Sequence, residues 1–556
     1  MKNKKSITAI VLIVSLSLFP LKEFLKYKIF EAHDITSHIA RLAVFFESLS
    51  QGNLVPRWGG NLNFGYGHPV LMFLYPLQNY LGSLIHFLGI DFVDSIKTIF
   101  ILAYILSGLF MYLWVNDFWG SLPGFIAAAF YLFAPYRFVN LYVRGALGEH
   151  LCLTFIPLAC FAIYRLVKKS SLKYFITTSL CLAALITAHN AVSLMFLPII
   201  FFYYLSLAKK NLKQNPTNLF LSLALGFCLS AFFWLPAFFE GKYTLRYQVT
   251  TPEIFQERYL TLKQLFYSPW GYGLAQEKER QSQFTVQVGT AQWLVLALTL
   301  VFFGKIKKKL KKEFKLVLIT IFSFITACFL MLKNSVFLLK IITVLPQFQF
   351  PWRFLSVPVF SASILAASLV KTSPQKLKKF LFIFLLGLTV IPTVSMWKAQ
   401  GDTKLKDTSD KYFLEGYQGT TETGESTPRW SIRFMESSPP QKIQVVSGEI
   451  ENFQIKTWLN NLHEYIVQAK APSQIADNTL YFPGWKVWVN EKLVPIEFQD
   501  QNWRGIITFP VQVGINEVKV KFTETKIRLF ADLLSLSAII FISALILKSL
   551  LLKKKT

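Results

Sequence analysis

Long apolar stretches separated by short polar loops make up most of this chain. About 20 apolar residues are enough to cross the hydrocarbon core of a bilayer as a helix. The pattern therefore predicts twelve membrane spans, at about 7–21, 95–115, 120–141, 148–167, 173–188, 190–207, 217–238, 290–304, 314–332, 354–370, 380–397 and 529–552. A further apolar stretch, 70–89, is predicted to lie at the interface or to re-enter the membrane, because a crossing there would invert every later loop.

Basic loops give the predicted spans an orientation. Lysine and arginine are concentrated in short segments whose only acidic residue is Glu313. Cytoplasmic loops of membrane proteins carry an excess of these residues, so the basic segments and both termini are predicted to be cytoplasmic. The basic segments are Lys2 to Lys5, Arg165 to Lys173, Lys209 to Lys213, Lys305 to Lys315, Lys371 to Lys379 and Lys548 to Lys555.

The other polar segments are predicted to lie outside the cell. They are 22–94, the turns 140–148 and 189–190, and the segments 239–289, 333–353 and 398–527. The last of these contains short alternating runs, such as Lys442 to Val446 and Glu517 to Phe522, bounded by turn-forming residues. Period-two alternation between frequent turns predicts a small antiparallel β-sandwich.

The expected fold class is thus an all-α polytopic membrane domain with an extracytoplasmic β-sandwich. The predicted division is a multispan domain at 1–397, with outer loops 22–94 and 239–289, a β-rich domain at 398–527, and a final span with a basic tail at 528–556.

Composition and charge exclude several other classes of protein. With 53% hydrophobic residues among 556, the chain is too apolar for an ordinary soluble enzyme. The net charge of +27 is concentrated in the basic loops, so it is interpreted as a topology signal with some attraction to membrane lipid, and not as a nucleic-acid surface. All five cysteines fall inside apolar segments, which argues against a disulfide framework or a cysteine metal site.

Asp34 is the leading candidate for catalysis. It lies in the run Glu31-Ala-His-Asp-Ile-Thr-Ser-His38, directly after the first span and before an amphipathic helix predicted over Ile35 to Leu49. A carboxylate in this place would meet a lipid headgroup and could act as a general base or as a cation ligand. The alternative is that Asp34 only caps the helix beginning at Ile35, since Asp is a favoured N-cap residue.

Further ionisable and aromatic residues are predicted to share the outer face with Asp34. Glu149 could be a second catalytic carboxylate beside Arg144, or the two could form a structural pair that closes a tight turn. Arg353 could bind an anionic headgroup, or it could be an arginine that extends its charge to the membrane surface beside Trp352. The predicted substrate-binding residues are His38, Arg57, Arg144, His189, Arg353 and Trp270, the last in an aromatic turn suited to a sugar face or to the interface.

Several stretches together resemble a bacterial family. They are His33-Asp34 through His38, Pro56-Arg57-Trp58, Gly65-Tyr66-Gly67, Tyr75-Pro76-Leu77, Arg144-Gly-Ala-Leu-Gly-Glu149, Ser268-Pro-Trp-Gly-Tyr-Gly273, Phe350-Pro-Trp-Arg-Phe354 and Tyr481-Phe-Pro-Gly-Trp485. In order and spacing they resemble the YfhO-like membrane proteins described as related to 6-pyruvoyl-tetrahydropterin synthase. The zinc-binding histidine trio of pterin synthase chemistry has no counterpart in this sequence.

That family is similar in architecture to the C-type glycosyltransferases, and the resemblance implies sugar transfer from a polyprenyl-phosphate donor to an outer glycan, glycolipid or cell-wall polymer. It implies a bacterial plasma membrane location and makes Asp34 the acidic residue of the first outer loop. A divalent cation, Mg²⁺ or Mn²⁺, is also implied, although the neighbour of Asp34 is His33 where the superfamily often has a second acid. The alternative function is that of a non-enzymatic flippase, transporter or assembly factor for lipid-linked envelope precursors.

Overall fold

The computed structural model describes residues 2–208, 216–274 and 283–553 of the chain. Its α-helices, numbered here in chain order, are α1 Lys2–Leu18, α2 Lys22–Lys26, α3 Ile35–Ser50, α4 Val70–Phe73, α5 Leu77–Phe87, α6 Phe92–Trp119, α7 Ser121–Leu132, α8 Pro135–Phe138, α9 Leu147–Lys169, α10 Leu172–Ala188, α11 Asn190–Ala208, α12 Pro216–Leu229, α13 Ala231–Glu240, α14 Pro252–Gln256, α15 Leu262–Phe266, α16 Thr290–Val301, α17 Phe303–Lys309, α18 Phe314–Leu330, α19 Ser356–Thr372, α20 Gln375–Val390 and α21 Lys526–Lys553.

Each of the twelve apolar stretches predicted to cross the membrane is helical, although not every one is a full straight span. Within the described residues, seven helices are long and apolar enough to cross a bilayer, or ten if each of three bent helix pairs counts as one span. The bent pairs fall in the stretches 120–141, 217–238 and 290–304, and α10 and α18 are apolar helices of 17 residues each. The stretch 70–89 forms α4 and α5, of 4 and 11 residues. A helix of 11 residues is too short to cross a bilayer.

The chain forms two compact units. The first comprises Met1–Ile35, Ile96–Leu229 and Thr250–Lys404, and the second Thr36–Ser95, Ser230–Val249 and Leu405–Thr556. The second unit includes more of the chain than the predicted β-rich domain 398–527, because Trp58, Met72 and Phe73 belong to the same hydrophobic core as the strands.

Helix α19 lies at the centre of the first unit. The span Pro351–Thr372 is 94% buried, and α19 packs against α7, α16 and α18. Its sequence is rich in Ser and Ala, which allow close approach of neighbouring helices in a membrane. The hydroxyls of Ser363 and Thr372 donate to carbonyls one turn earlier, so these buried polar groups have partners inside the helix.

The second unit contains the β region. Its strands are β1 Ile443–Ser447, β2 Ile450–Leu459, β3 Leu462–Ala469, β4 Ser473–Leu480, β5 Trp485–Val489, β6 Lys492–Val494, β7 Ile506–Val511 and β8 Gly514–Phe522. They form one antiparallel sheet in the order β1-β4-β7 and a second in the order β2-β3-β8-β5-β6. Buried residues of both sheets belong to one hydrophobic core.

Local sequence explains the strands well. In β8 the residues Val518, Val520 and Phe522 are buried while the intervening residues are exposed, which is the alternation of a strand with one face on a core. The hairpin β5–β6 turns at Asn490 and Glu491, which have φ of 48° and 66°. Two residues with positive φ form the turn type that suits the twist of a two-residue hairpin.

The predicted topology is tested by labelling single cysteines in intact cells, in a protein whose native cysteines have been replaced. The labelled positions must be exposed, so buried residues of the predicted outer segments, such as Glu149 and Ser268, are not suitable. Leu54→Cys, Tyr267→Cys and Lys456→Cys should react with an impermeant reagent, whereas Lys169→Cys, Lys309→Cys and Lys376→Cys should react only after the membrane is permeabilised. Labelling of Lys169→Cys from outside would contradict the predicted orientation.

Candidate functional site

A broken helix places Arg144 at the candidate site of the first unit. Helix α7 and the segment Pro135–Val143 meet at an angle of 51°. Pro135 begins the second piece, where its missing N–H costs nothing. The chain then forms a π-helical turn over Val139–Val143, and α9 begins at Leu147. Arg144 therefore lies in a short linker between two helical segments.

The linker is paired with the segment that carries Asp34. The N–H of His33 donates to the carbonyl of Val143 at 3.0 Å, and the N–H of Asp34 donates to the carbonyl of Arg144 at 2.8 Å. Gly145 permits this approach, because its φ is +59° and a Cβ there would lie 3.1 Å from the nitrogen of Ile35. The backbone thus fixes Asp34 beside Arg144.

Glu149, on the first turn of α9, is the central group of the cluster. Its side chain is 1% exposed, and its Oε1 lies 2.8 Å from Nη1 of Arg144 and 3.0 Å from Nε of Arg353. Its Oε2 accepts a hydrogen bond of 2.8 Å from the hydroxyl of Tyr136 and a long one, 3.5 Å, from Nδ2 of Asn140. One buried carboxylate therefore holds two guanidinium groups, as is expected when a charge is buried only with its counter-charges.

Arg353 reaches Glu149 from the 3₁₀ turn Pro351–Leu355 that precedes α19. Its Nη1 donates to the carbonyl of Phe348 at 2.9 Å and to Oε1 of Gln349 at 3.0 Å. Arg144 is held in a comparable way, because its Nη1 also donates to Oδ1 of Asn140 at 2.9 Å. The described residues supply no hydrogen bond to Nε or Nη2 of Arg144, nor to Nη2 of Arg353. Arg144 therefore keeps one two-nitrogen edge for a ligand, and Arg353 keeps one nitrogen.

An aromatic stack supports Arg144 from the other side. The guanidinium carbon of Arg144 lies 4.5 Å from the centre of the Trp352 ring. Trp352 is in turn stacked on Phe350, with ring centres 4.6 Å apart, and packed edge-on against Phe284. A cation above an aromatic face is stabilised by the charge distribution of the ring, so the stack fixes the plane of the guanidinium.

His189, between α10 and α11, lies 3.9 Å from Oε1 of Glu149 through its Nε2. The N–H of Val192 donates to Nδ1 of His189, so a neutral ring carries its proton on Nε2. Burial lowers the pKa of His189 to about 3, despite the opposing effect of Glu149. His189 is therefore neutral near pH 7 and adds no charge to the cluster.

Asp34 differs from Glu149 in its surroundings. Asp34 is half-buried, and no described side chain donates a hydrogen bond to its carboxylate. Burial disfavours the charged form of Arg144, but Glu149, Tyr136 and Asp34 together raise the pKa of its guanidinium. Asp34 is consequently close enough to Arg144 to be felt electrostatically, while its oxygens remain available to a substrate.

The aromatic turn of Trp270 lies in the same unit as Asp34. Nε2 of His33 is hydrogen bonded to the carbonyl of Tyr272 at 2.9 Å, and the rings of Trp270 and Tyr272 meet edge-on with centres 5.8 Å apart. His33 is the residue before Asp34, so the turn lies next to the segment that carries the candidate base. This position agrees with a role of Trp270 in substrate binding, which stays a prediction.

His38 and Arg57 belong to the second unit. Arg57 donates to Glu524 at 2.8 Å and to Asp532 at 2.6 Å, and it also contacts the carbonyl of Phe232. Nδ1 of His38 accepts hydrogen bonds from Arg41 and Gln78. Both residues thus have internal structural partners, and their predicted role in substrate binding stays a prediction.

Few side chains near Asp34 could bind the predicted divalent cation. Among the described residues, no group of three or more His, Cys, Asp or Glu side chains could hold a metal ion. Both oxygens of Glu149 face cations and N–H or O–H donors, which leaves Asp34 as the single carboxylate at the site. One carboxylate fits a cation only when substrate phosphates and water complete the coordination shell, so the steps proposed below do not pass through a metal ion.

The contacts of Glu149 favour the structural alternative, an ion pair with Arg144, over the catalytic role, which stays a prediction. A carboxylate shared by two buried arginines and a tyrosine hydroxyl is neither accessible to a substrate nor free to take a proton. We therefore treat Glu149 as a positioning residue. Sequence analysis did not identify Tyr136, Asn140 or Gln349 as site residues, because each belongs to the site only through a contact that forms in the folded chain.

The fold and the site define a polytopic membrane protein with a buried arginine–carboxylate cluster in its helical unit. A family model described as "6-pyruvoyl-tetrahydropterin synthase related domain; membrane protein" matches residues 71–399. The chain belongs to this family of membrane proteins.

The individual proteins that this chain resembles have low sequence identity to it. The chain is 27% identical over 237 residues to an uncharacterized protein of Lactococcus lactis subsp. cremoris (strain MG1363), a match that covers 41% of this chain and 38% of that protein. The mycobacterial arabinofuranosyltransferase AftD is 12% identical, with a TM-score of 0.41 over 70% of this chain and 27% of AftD. The oligosaccharyltransferase of Archaeoglobus fulgidus in its apo form is 12% identical, with a TM-score of 0.42 over 76% of this chain and 61% of that one.

Replacing Glu149 with Gln should destabilise the first unit. Gln keeps the shape of the side chain but removes the charge that compensates Arg144 and Arg353. Breaking a buried ion pair by removal of one partner costs about 3–5 kcal/mol, so the thermal unfolding midpoint of the purified protein in detergent should fall by several degrees. Glu257→Gln, at an exposed position of the same unit, is the control. An unchanged midpoint for Glu149→Gln would show that the cluster contributes little to the fold.

Proposed function

We propose that this protein is a membrane glycosyltransferase that transfers a sugar from a polyprenyl-phosphate donor to an extracytoplasmic acceptor, namely a glycan, glycolipid or cell-wall polymer. The observation that carries the proposal is that Arg144 and Arg353 are both anchored to the buried carboxylate of Glu149. The carboxylate of Asp34 lies beside them, and no described side chain donates a hydrogen bond to it. A transfer whose leaving group is a phosphate needs fixed positive charge for that phosphate and a base for the acceptor hydroxyl, and this arrangement offers both.

The arginines would hold the donor phosphate. Guanidinium groups bind phosphate oxygens through two parallel N–H donors. Arg144 keeps Nε and Nη2 for such a two-donor contact, and Arg353 keeps Nη2 for a hydrogen bond from a single nitrogen. Negative charge grows on the phosphate as the bond between the sugar and its oxygen breaks, and positive charge fixed in place beforehand stabilises that charge in the transition state.

Asp34 would activate the acceptor. Its carboxylate takes the proton of the acceptor hydroxyl while the hydroxyl oxygen forms a bond to the anomeric carbon of the sugar. The bond from that carbon to the phosphate oxygen breaks in the same step, and its electron pair leaves with the polyprenyl phosphate. Because the backbone ties Asp34 to Arg144, base and phosphate site keep a constant separation.

The surroundings of Asp34 would contribute to acceptor binding. The aromatic turn of Trp270 is joined to His33 by a hydrogen bond, and aromatic rings are suited to packing against the apolar faces of sugars. The predicted location of this turn outside the membrane, at the surface of the bilayer, suits a donor whose phosphate lies at the interface and whose chain remains in the lipid.

The test of this proposal is the substitution Asp34→Asn. Asn ranks with Asp as a helix N-cap, so a capping role alone predicts nearly unchanged behaviour. Loss of a general base typically lowers the rate by 10²-fold or more, and we expect that loss in sugar transfer, with membrane insertion and thermal stability near those of the wild type. The assay uses purified protein and a panel of polyprenyl-phosphate sugars.

Glu31→Gln, which removes a charge from the same segment, is the matched control and should retain activity. A folded and correctly inserted Asp34→Asn protein with full transfer activity would contradict the mechanism. Wild-type protein that binds the donor but transfers no sugar under any acceptor condition would favour the non-enzymatic transport or assembly role.

A further inference from the structure

Arg137 is a buried cation of the helical unit that no described carboxylate neutralises. It lies in α8, in the second piece of the bent helix pair that forms one candidate span, and it is 0% exposed. Its Nη2 donates a hydrogen bond of 2.8 Å to the hydroxyl of Ser107, whereas Nε and Nη1 have no hydrogen-bond partner in the described part of the chain. Because arginine stays protonated in proteins, a positive charge with two unused nitrogens lies inside this unit.

The rings around Arg137 carry no counter-charge. Its guanidinium carbon lies 5.3 Å from the ring centre of Tyr104 and 5.5 Å from that of Tyr131. The hydroxyl of Tyr104 donates to the carbonyl of Leu132 at 2.9 Å. That of Tyr131 donates to the carbonyl of Leu153 at 2.6 Å, so both phenols keep their protons. Among the described residues, no carboxylate acts electrostatically on Arg137.

His150, near the start of α9, is a second buried polar group beside Tyr104. The two rings are stacked, with centres 5.9 Å apart and an angle of 9° between their planes. The carbonyl of Phe100 lies near the imidazole, but neither ring nitrogen makes a hydrogen bond of normal geometry with a residue that the structure describes. Arg137 is close enough to His150 to act on it electrostatically. A neutral imidazole has one N–H, so a further donor lies near the guanidinium.

Burial of Arg137 without an opposite charge is unfavourable. Removing a guanidinium from water costs more free energy than contacts with two aromatic rings and one hydroxyl recover. Charged side chains inside membrane proteins accordingly pair with an opposite charge or mark the position of a ligand. Arg144 shows the first arrangement, because it is paired with Glu149. No ion pair joins Arg137 to Glu149 within the described residues, so a bound anion would supply the missing counter-charge.

We propose that Arg137 binds a small monovalent anion inside the helical unit, at a site separate from the candidate site. The N–H groups of Nε and Nη1 are its donors, and a single negative charge makes the surroundings neutral. Tyr104, Ser107, Tyr131 and His150 are fully buried, so the site suits an ion the size of chloride and not a lipid headgroup. This inference does not depend on the proposed function.

The experiment measures the thermal unfolding midpoint of the purified full-length protein in detergent, while chloride replaces gluconate at constant ionic strength. An ion that binds only the folded state raises the midpoint, and we expect a saturable rise of about 3 °C or more. Arg137→Gln should abolish the chloride dependence. In gluconate its midpoint should equal or exceed that of the wild type, because the substitution removes a buried charge that has no partner.

Arg165→Gln is the matched control. It removes the same charge from the same unit, but Nη2 of Arg165 is paired with Oδ1 of Asp117 at 2.6 Å, so the chloride dependence should persist. A wild-type midpoint that is indifferent to chloride would overturn the inference, as would an equal chloride effect in Arg137→Gln.

If Arg137→Gln does not fold, the wild type alone decides the question. Crystals grown in bromide locate the ion by its anomalous scattering. Bromide within hydrogen-bonding distance of Arg137 would support the inference, and ordered water in that place would contradict it.

Discussion

The buried carboxylate of Glu149 is the interaction on which the candidate site depends. Burying an arginine away from water is expensive, and the cost is offset only when a counter-charge and hydrogen-bond acceptors are close at hand. Glu149 provides this for Arg144 and Arg353 at once, with distances of 2.8 and 3.0 Å. The carboxylate of Glu149 thereby holds both guanidinium groups in fixed positions, where their remaining N–H donors can meet an anionic ligand.

The backbone supplies the rest of the geometry. The bend between α7 and Pro135, the π-helical turn and Gly145 bring the carbonyls of Val143 and Arg144 within hydrogen-bonding distance of the segment His33 to Asp34. Main-chain hydrogen bonds thereby fix the position of Asp34, and its side chain does not have to make a positioning contact. A rigid position combined with an unoccupied carboxylate is the arrangement that proton transfer requires.

Much of the fold follows from the sequence, because apolar length and period-two alternation are local properties. All twelve apolar stretches are helical, and β1 and β8 fall on the alternating runs Lys442 to Val446 and Glu517 to Phe522. The bends were harder to predict, because the stretches that contain them, 120–141, 217–238 and 290–304, have the hydrophobicity of a straight span.

The site was predictable only in part. The sequence brought Arg144, Glu149, His189 and Arg353 to one predicted face, and the structure unites these four. It gave no indication that Arg353 would share the carboxylate of Glu149, 204 positions away along the chain, because such a contact is set by helix packing. The partner of Arg57 in α21, Asp532, could not be predicted for the same reason.

Donor binding by Arg144 and Arg353 is tested most directly by an experimental structure of the protein in a lipid nanodisc with a non-transferable polyprenyl monophosphate sugar bound. We predict that the phosphate oxygens lie within hydrogen-bonding distance of the guanidinium groups of Arg144 and Arg353, with the anomeric carbon on the side of Asp34. A donor phosphate bound elsewhere, with the arginine–Glu149 cluster unchanged and its free N–H groups facing only water, would contradict it.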